Sequence, residues 1–253
     1  MATNKTDNSV EINIMEVARS EITFMVRGDT PIILNAMSEK ARQQLLLPPV
    51  KKNAAAKAST LKHDPLEEFA GSMYRARSAD SPTEIVVPAT AFKSALQGAA
   101  LDIPGATKSQ IGRLAYVVGD EICLYGIPQL LMSTTRCRDI NRTPDIRTRA
   151  IVPEWACYVT IRHTTPILKS QDVMQLFSAA GYTQGIGDWR IQKGSGNYGA
   201  FSLVGDDDEA FQRIISEGGR EAQLAAIDAP ISYNADTDRL LAWFGAEAKR
   251  RGF

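Results

Sequence analysis

Between Glu21 and Arg27 the chain alternates, with Ile22, Phe24 and Val26 separated by Thr23, Met25 and Arg27. A two-residue period predicts a half-buried strand, and "GDTP" ends it. The period then lengthens. In "EKARQQLLL" (39–47) Ala41 and Leu45 fall on a helical stripe, with Ser38 as cap and Pro48-Pro49 as stop. "DPLEEFAGSMYRAR" (64–77) predicts a short helix and "TEIVVP" (83–88) a strand. "ATAFKSALQGAALDI" (89–103) predicts a helix with Phe92, Ala95, Leu96 and Ala99 on one side. Two short strands, "LAYVVG" (114–119) and "EICLYG" (121–126), are expected to form a hairpin through Gly119-Asp120. "EWACYVTIRH" (154–163) returns to strand alternation, and "SQDVMQLFSAAG" (170–181) predicts a helix from a Ser170 cap to a Gly181 stop. "YGAFSLV" (198–204) reads as a closing strand, and two amphipathic helices are expected over 208–227 and 237–251.

An internal echo organises these elements. "VRGDTPIIL" (26–34) and "IRHTTPILK" (161–169) match at Arg, Thr, Pro and Ile, and each ends a strand ahead of a helix. Two strand-helix-strand halves of this kind predict an α+β, ferredoxin-like or RRM-like antiparallel sheet with helices on one face, plus loop insertions and C-terminal helices. The expected division is a polar arm over 1–20, a core over 21–205 with basic insertions at 48–65 and 133–150, and a helical extension over 206–253.

Composition narrows the function. At 253 residues and 44% hydrophobic, the chain is long enough to bury a real core. No apolar run reaches the roughly 18–20 residues that span a bilayer, and "MATNKTDNSV" lacks the plan of a secretory signal, so a cytoplasmic protein with no membrane partner is expected. Cys123, Cys137 and Cys157 are too unevenly spaced for a disulfide framework or a paired metal motif, and only His63 and His163 could join them. No metal or other cofactor is expected. Twenty-nine basic residues balance 29 acidic ones, so affinity for a polyanion must come from segregated charge.

Segregation is visible in three places. "PPVKKNAAAKASTLKHDP" (48–65) carries Lys51, Lys52 and Lys57 with no acid before Asp64, as an exposed loop that either binds or merely links. "TTRCRDINRTPDIRTRA" (134–150) sets Arg136, Arg138, Arg142, Arg147 and Arg149 against Asp139 and Asp145, which favours nucleic acid. "GIGDWRIQKGSGNYGAF" (185–201) combines five glycines with Arg190, Lys193, Trp189 and Tyr198. Gly194 and Gly196 are expected to let a sugar-phosphate backbone approach, so that valine there reduces binding without unfolding the chain. Trp189 and Tyr198 either stack on bases or pin the loop to the core. Lys93, at the start of a helix, is either a phosphate contact or a solvated lysine. The loop is followed by a strand, which excludes a dinucleotide-binding turn. A serine hydrolase triad, P-loop and zinc-protease motif are absent.

Three stretches, in order, resemble the RAMP superfamily, the RRM-fold proteins that form the backbones of CRISPR effector complexes. "VVPATAFKSALQGA" is similar to its Ile-Pro-Gly-Ser-Ser-Leu-Lys-Gly-Ala-Leu-Arg element, with Ala89, Ser94 and Gln97 standing where that element has Gly, Gly and Arg. The glycine loop resembles its other hallmark, and "ITFMVRGDTPIIL" its first strand. The same stretches resemble a group of phage and prophage proteins. The resemblance implies a noncatalytic subunit that binds single-stranded RNA or DNA, assembles with copies of itself along the strand, and joins other effector-complex subunits. Target-cleaving members cut with an aspartate after the first strand; "TPIILNAMSEKA" has none there. The alternatives are a metal-independent RNA-processing endoribonuclease using His63, and a phage assembly or interaction protein.

Overall fold

The computed structural model describes residues 14–46, 61, 63–136, 144–193 and 196–253, with the backbone alone described for Lys40 and Arg136. Lys51, Lys52, Lys57, Arg138, Arg142, Gly194 and the Pro48-Pro49 stop lie outside these residues.

In chain order the structure runs β1 (Ala18–Gly28), β2 (Ile32–Ile33), α1 (Glu39–Leu46), α2 (Pro65–Gly71), β3 (Tyr74–Arg75), β4 (Ile85–Pro88), α3 (Ala89–Ala99) and α4 (Lys108–Leu114). It continues through β5 (Ala115–Val117), β6 (Glu121–Cys123), β7 (Gln129–Arg136), β8 (Pro144–Val152), β9 (Ala156–Thr165), α5 (Ser170–Thr183) and β10 (Phe201–Val204). Helices α6 (Glu209–Glu217), α7 (Arg220–Asp228) and α8 (Ala235–Arg251) end it.

The main sheet has the order β10-β1-β9-β5 with every neighbour antiparallel. Read with α3 and α5, this is a β-α-β-β-α-β unit in which β1 and β9 are central, the topology of a ferredoxin-like α+β fold. The echoed segments therefore end its two central strands. One face of β1 buries Phe24 and Val26, as the alternation requires. The helices close over that face through an aromatic cluster in which the Phe177 ring lies 5.4 Å from Phe24, 6.1 Å from Phe92 and 5.3 Å from Phe201. Phe92, Ala95, Leu96 and Ala99 are the buried stripe of α3.

Several local expectations are corrected. β5 and β6 do not pair with each other: β5 joins β9, and β6 joins β4 in a separate sheet β3-β4-β6. Gly119 does turn with positive φ, but the turn passes the chain between sheets. The basic stretch at 133–150 is not a loop insertion where it is described. It contributes to β7 and β8, paired from Gln129↔Ile151 to Arg136↔Pro144 in a third sheet with β2. α5 is capped from Lys169 rather than Ser170 and runs past Gly181, where a Cβ would meet the Phe201 carbonyl oxygen at 1.9 Å. Gly181 lets α5 rest on β10.

The C-terminal segment folds as three helices, not two, and is bonded into the rest. The Gln223 amide is fully buried, accepting from the Glu84 and Ile85 N–H groups and donating to the carbonyls of Leu124, Gly126 and Gly218. All its hydrogen-bonding capacity is used, so the buried amide carries little desolvation cost. α6 lays Phe211 and Ile214 on the second face of the main sheet, against Met25, Ala156 and Val204. Among the described residues, no helix is long and apolar enough to cross a membrane.

Candidate nucleic-acid interface

The glycine loop wraps around its own chain. Ile186 N–H donates to the Gly199 carbonyl at 2.9 Å, and Gly199 N–H to the Pro31 carbonyl at 2.9 Å. Asp188 N–H donates to the Ile33 carbonyl, also at 2.9 Å, which ties the loop to β2. Gly199 has φ of +71°, and a Cβ there would lie 1.7 Å from the Ile186 carbonyl oxygen. At Gly196 a Cβ would lie 1.6 Å from the Trp189 carbonyl oxygen. The close approach these glycines permit is to backbone of the same loop. The expectation that valine at 196 spares the fold is therefore corrected.

The loop's cations are also engaged. The Arg190 guanidinium donates to Gln192 Oε1 at 3.0 and 2.8 Å and to the Gly187 carbonyl at 3.2 Å. Lys193 Nζ is 3.0 Å from Asp188 Oδ1, and Arg149 Nε of β8 is 3.6 Å from Asp188 Oδ2. Burial alone would raise the Asp188 pKa, but the Lys193 bond and charge, the Trp189 N–H and Arg149 outweigh it and hold the carboxyl below its ordinary value. Burial lowers the Arg149 pKa while Asp188 opposes that shift. Trp189 and Tyr198 are half-buried, 6.3 Å apart between centroids, and pack with Tyr233 on Ile33, Leu131 and Ile151. Their remaining surface faces an open cleft beside Asn234 and Arg239.

The loop forms one wall of a groove of about 480 Å³. The opposite wall is the start of α3, contributing Thr90, Ser94 and Gln97, and Asn35 and Lys108 border it. Two sequence stretches nearly a hundred residues apart thus face each other. α3 begins at Pro88, which offers no side-chain cap, and Ala89 N–H is taken by the Asp120 carbonyl. Its first turn presents the positive end of the helix to the groove. Lys108, Arg190 and Lys193 add positive charge, while Asp188, already bridged by two cations, is the single acid in the lining among the described residues. Hydroxyls, amides and compensated cations of this kind hydrogen-bond phosphate and sugar oxygens.

The other expected residues are dispersed. Lys93 is half-buried on α3 and outside the groove lining. Arg147 is exposed on β8, whereas Arg149 turns inward to Asp188. His63 is held at both ring nitrogens, Nδ1 2.7 Å from Glu68 and Nε2 3.1 Å from Asp145. It ties α2 to β8. His163 is buried on β9, with Nε2 3.3 Å from the Ser170 hydroxyl. Among the described residues no group of acids, cysteines and histidines is placed to hold a metal ion.

Asn35, Gln192 and Lys108 line the groove without being among the residues expected from the sequence. Lys108 had a signal: "TKSQ" (107–110) is a capping box, and Thr107 and Gln110 make both of its bonds at the start of α4. Asn35 and Gln192 carried none.

Neither a protein-family model nor a curated protein sequence matches this chain. Among solved structures it is similar to Cmr6 from Pyrococcus furiosus, at 11% identity and a TM-score of 0.30 over 74% of this chain and 99% of that one. It is also similar to a chain of the Type III-B Cmr-beta complex bound to cognate target RNA, at 13% identity and a TM-score of 0.29 over 72% of this chain and 59% of that one. Overlap of this extent does not assign the chain to a family.

Proposed function

We propose that this protein binds single-stranded nucleic acid along the groove between the glycine loop and α3, as a noncatalytic subunit of an RNA-guided or phage-derived assembly. What carries the reading is the convergence of the two motif-bearing stretches on one groove whose lining acid, Asp188, is already neutralised. The strand's phosphates lie against the start of α3, Lys108 and Lys193, and the loop serves as a fixed wall rather than a flexible wrap. Side-by-side copies along the strand would add affinity through repetition, since each groove is small. The strand is RNA or DNA, as the sequence resemblance implies.

The test is fluorescence anisotropy with a labelled single-stranded RNA and the Lys108→Glu variant. Lys108 is exposed at the start of a capped helix, so the change leaves the fold intact. We expect affinity to fall about tenfold and the log-log salt slope to flatten by about 0.7 for the lost phosphate contact. Unchanged affinity and slope would remove the groove from the site.

A further inference from the structure

We infer that the free edge of β1 is a self-pairing surface, joining two copies of this chain into a two-fold dimer through an antiparallel β1–β1 ladder centred on Ser20. The starting observation is a mismatch of lengths. β1 pairs with β9 from Ala18 to Arg27, but β10 covers its other edge only from Met25 to Gly28. Among the described residues nothing else bonds to the backbone of residues 18–24 on that side.

Backbone direction shows which groups are exposed there. Gly28 N–H donates toward β9, to the Trp155 carbonyl at 2.8 Å, while Asp29 N–H donates toward β10, to the Ala200 carbonyl at 2.9 Å. Alternation along the strand therefore turns the N–H and C=O groups of Arg19, Glu21 and Thr23 to the open edge. An unpaired run of this length is a template for another strand, and charge decides which strand fits.

A two-fold axis beside Ser20 sets Arg19 opposite Glu21 of the second copy, Glu21 opposite its Arg19, and Val17 opposite its Thr23. All of these are odd-numbered residues whose backbone groups face the edge, so the hydrogen-bond parity is satisfied. Shifting the axis to Arg19 opposes two arginines, and shifting it to Glu21 opposes two glutamates, both unfavourable. Arg19 is exposed and has no ion-pair partner among the described residues. Glu21, itself 43% exposed, accepts from Arg162 on β9 and keeps an outward side. The chain ahead of the strand adds apolar surface at Val17, which is 54% exposed. The interface is isologous and closes at two copies, so it differs in kind from head-to-tail packing along a strand of nucleic acid.

Sedimentation of the whole chain, free of nucleic acid, over a concentration series tests this. The unaltered protein is expected to show a monomer–dimer equilibrium. Arg19→Glu should weaken it about tenfold, because the substituted carboxylate then faces Glu21 of the other copy twice per dimer. Arg19→Glu touches an exposed side chain and leaves the β9 ladder in place. Mixing Arg19→Glu with Glu21→Arg should restore dimers, because each variant then supplies the charge the other lacks. A protein monomeric throughout the series, a dimer indifferent to Arg19→Glu, or a mixture that stays monomeric would overturn the inference.

Discussion

The two walls of the groove are held in place by opposite routes. α3 is a regular helix that buries Phe92, Ala95, Leu96 and Ala99 and leaves Thr90 and Ser94 outside. Its polar face is free of the fold and open to change. Among its described residues the glycine loop has little repetitive structure beyond the short turn at Ile191–Lys193, and is held by backbone bonds to β2 and by contacts that only glycine permits. Its polar and charged groups hold the loop before they can hold a ligand. A wall of the first kind should yield binding mutants that fold normally, and a wall of the second kind should yield folding mutants that also fail to bind.

The largest expected effect is on the second wall. Gly199→Val places a branched Cβ at positive φ and 1.7 Å from the Ile186 carbonyl oxygen, so backbone must move. We expect destabilisation of roughly 3 kcal/mol, read as a lowered thermal midpoint, with binding lost in parallel. Gly196→Val should follow the same course. A valine variant that melted with the parent would break the contrast between the walls.

Next is Asp188→Asn, which removes the charge joining Lys193 and Arg149. A cost of about 1–2 kcal/mol is expected from the two weakened charged contacts. The parent should show the matching acid dependence. Because the folded pKa of Asp188 is lowered, its contribution is fully present above the unfolded value of about 3.9 and is lost as pH falls through the folded value. Denaturant unfolding at neutral and acid pH checks both. The stability gap between parent and variant should narrow in acid.

Smaller still is the first wall. Thr90→Ala and Ser94→Ala are exposed helix changes and should shift stability by no more than about 0.5 kcal/mol, while measurably weakening RNA binding by anisotropy. A stability loss matching that of the loop glycines would erase the distinction. The smallest effect concerns cleavage. His63→Ala should leave labelled RNA and DNA as intact as the parent does, with and without magnesium, on a denaturing gel. Cutting by the parent that the variant lost would favour the endoribonuclease over the noncatalytic reading.

How much of this was legible follows the same division. β1, α3, β9 and β10 were readable because one face of each is buried and the period shows in the residues, as with Phe24 and Val26 or Phe92 and Leu96, whereas β4, buried on both faces at Ile85, Val86 and Val87, was readable as a short apolar run closed by Pro88. The echoed Arg-x-x-Thr-Pro-Ile segments marked the two central strands and with them the fold. Pairing was not readable for β5 and β6. Each is three residues long, and a short apolar run does not say which sheet it enters. The β7–β8 hairpin was hidden by its own arginines, since a count of charges does not reveal that Arg149 turns in to a carboxylate 39 residues away in the chain. For the site, the loop and the helix were both marked by the sequence, but the reason for the glycines was not. Composition shows that backbone must come close to something; only the fold shows that Gly196 and Gly199 come close to Trp189 and Ile186.

The central claim is that nucleic acid lies between these two walls. Photo-crosslinking of the folded protein to a single-stranded RNA carrying 4-thiouridine, with the attached peptides identified by mass spectrometry, tests it most directly. The account predicts adducts in the peptides containing Thr90–Gln97, Lys108 and Gly185–Lys193, all suppressed by unlabelled RNA. Crosslinks confined to the exposed β8 face around Arg147, or to α8, with none in the groove peptides, would contradict it.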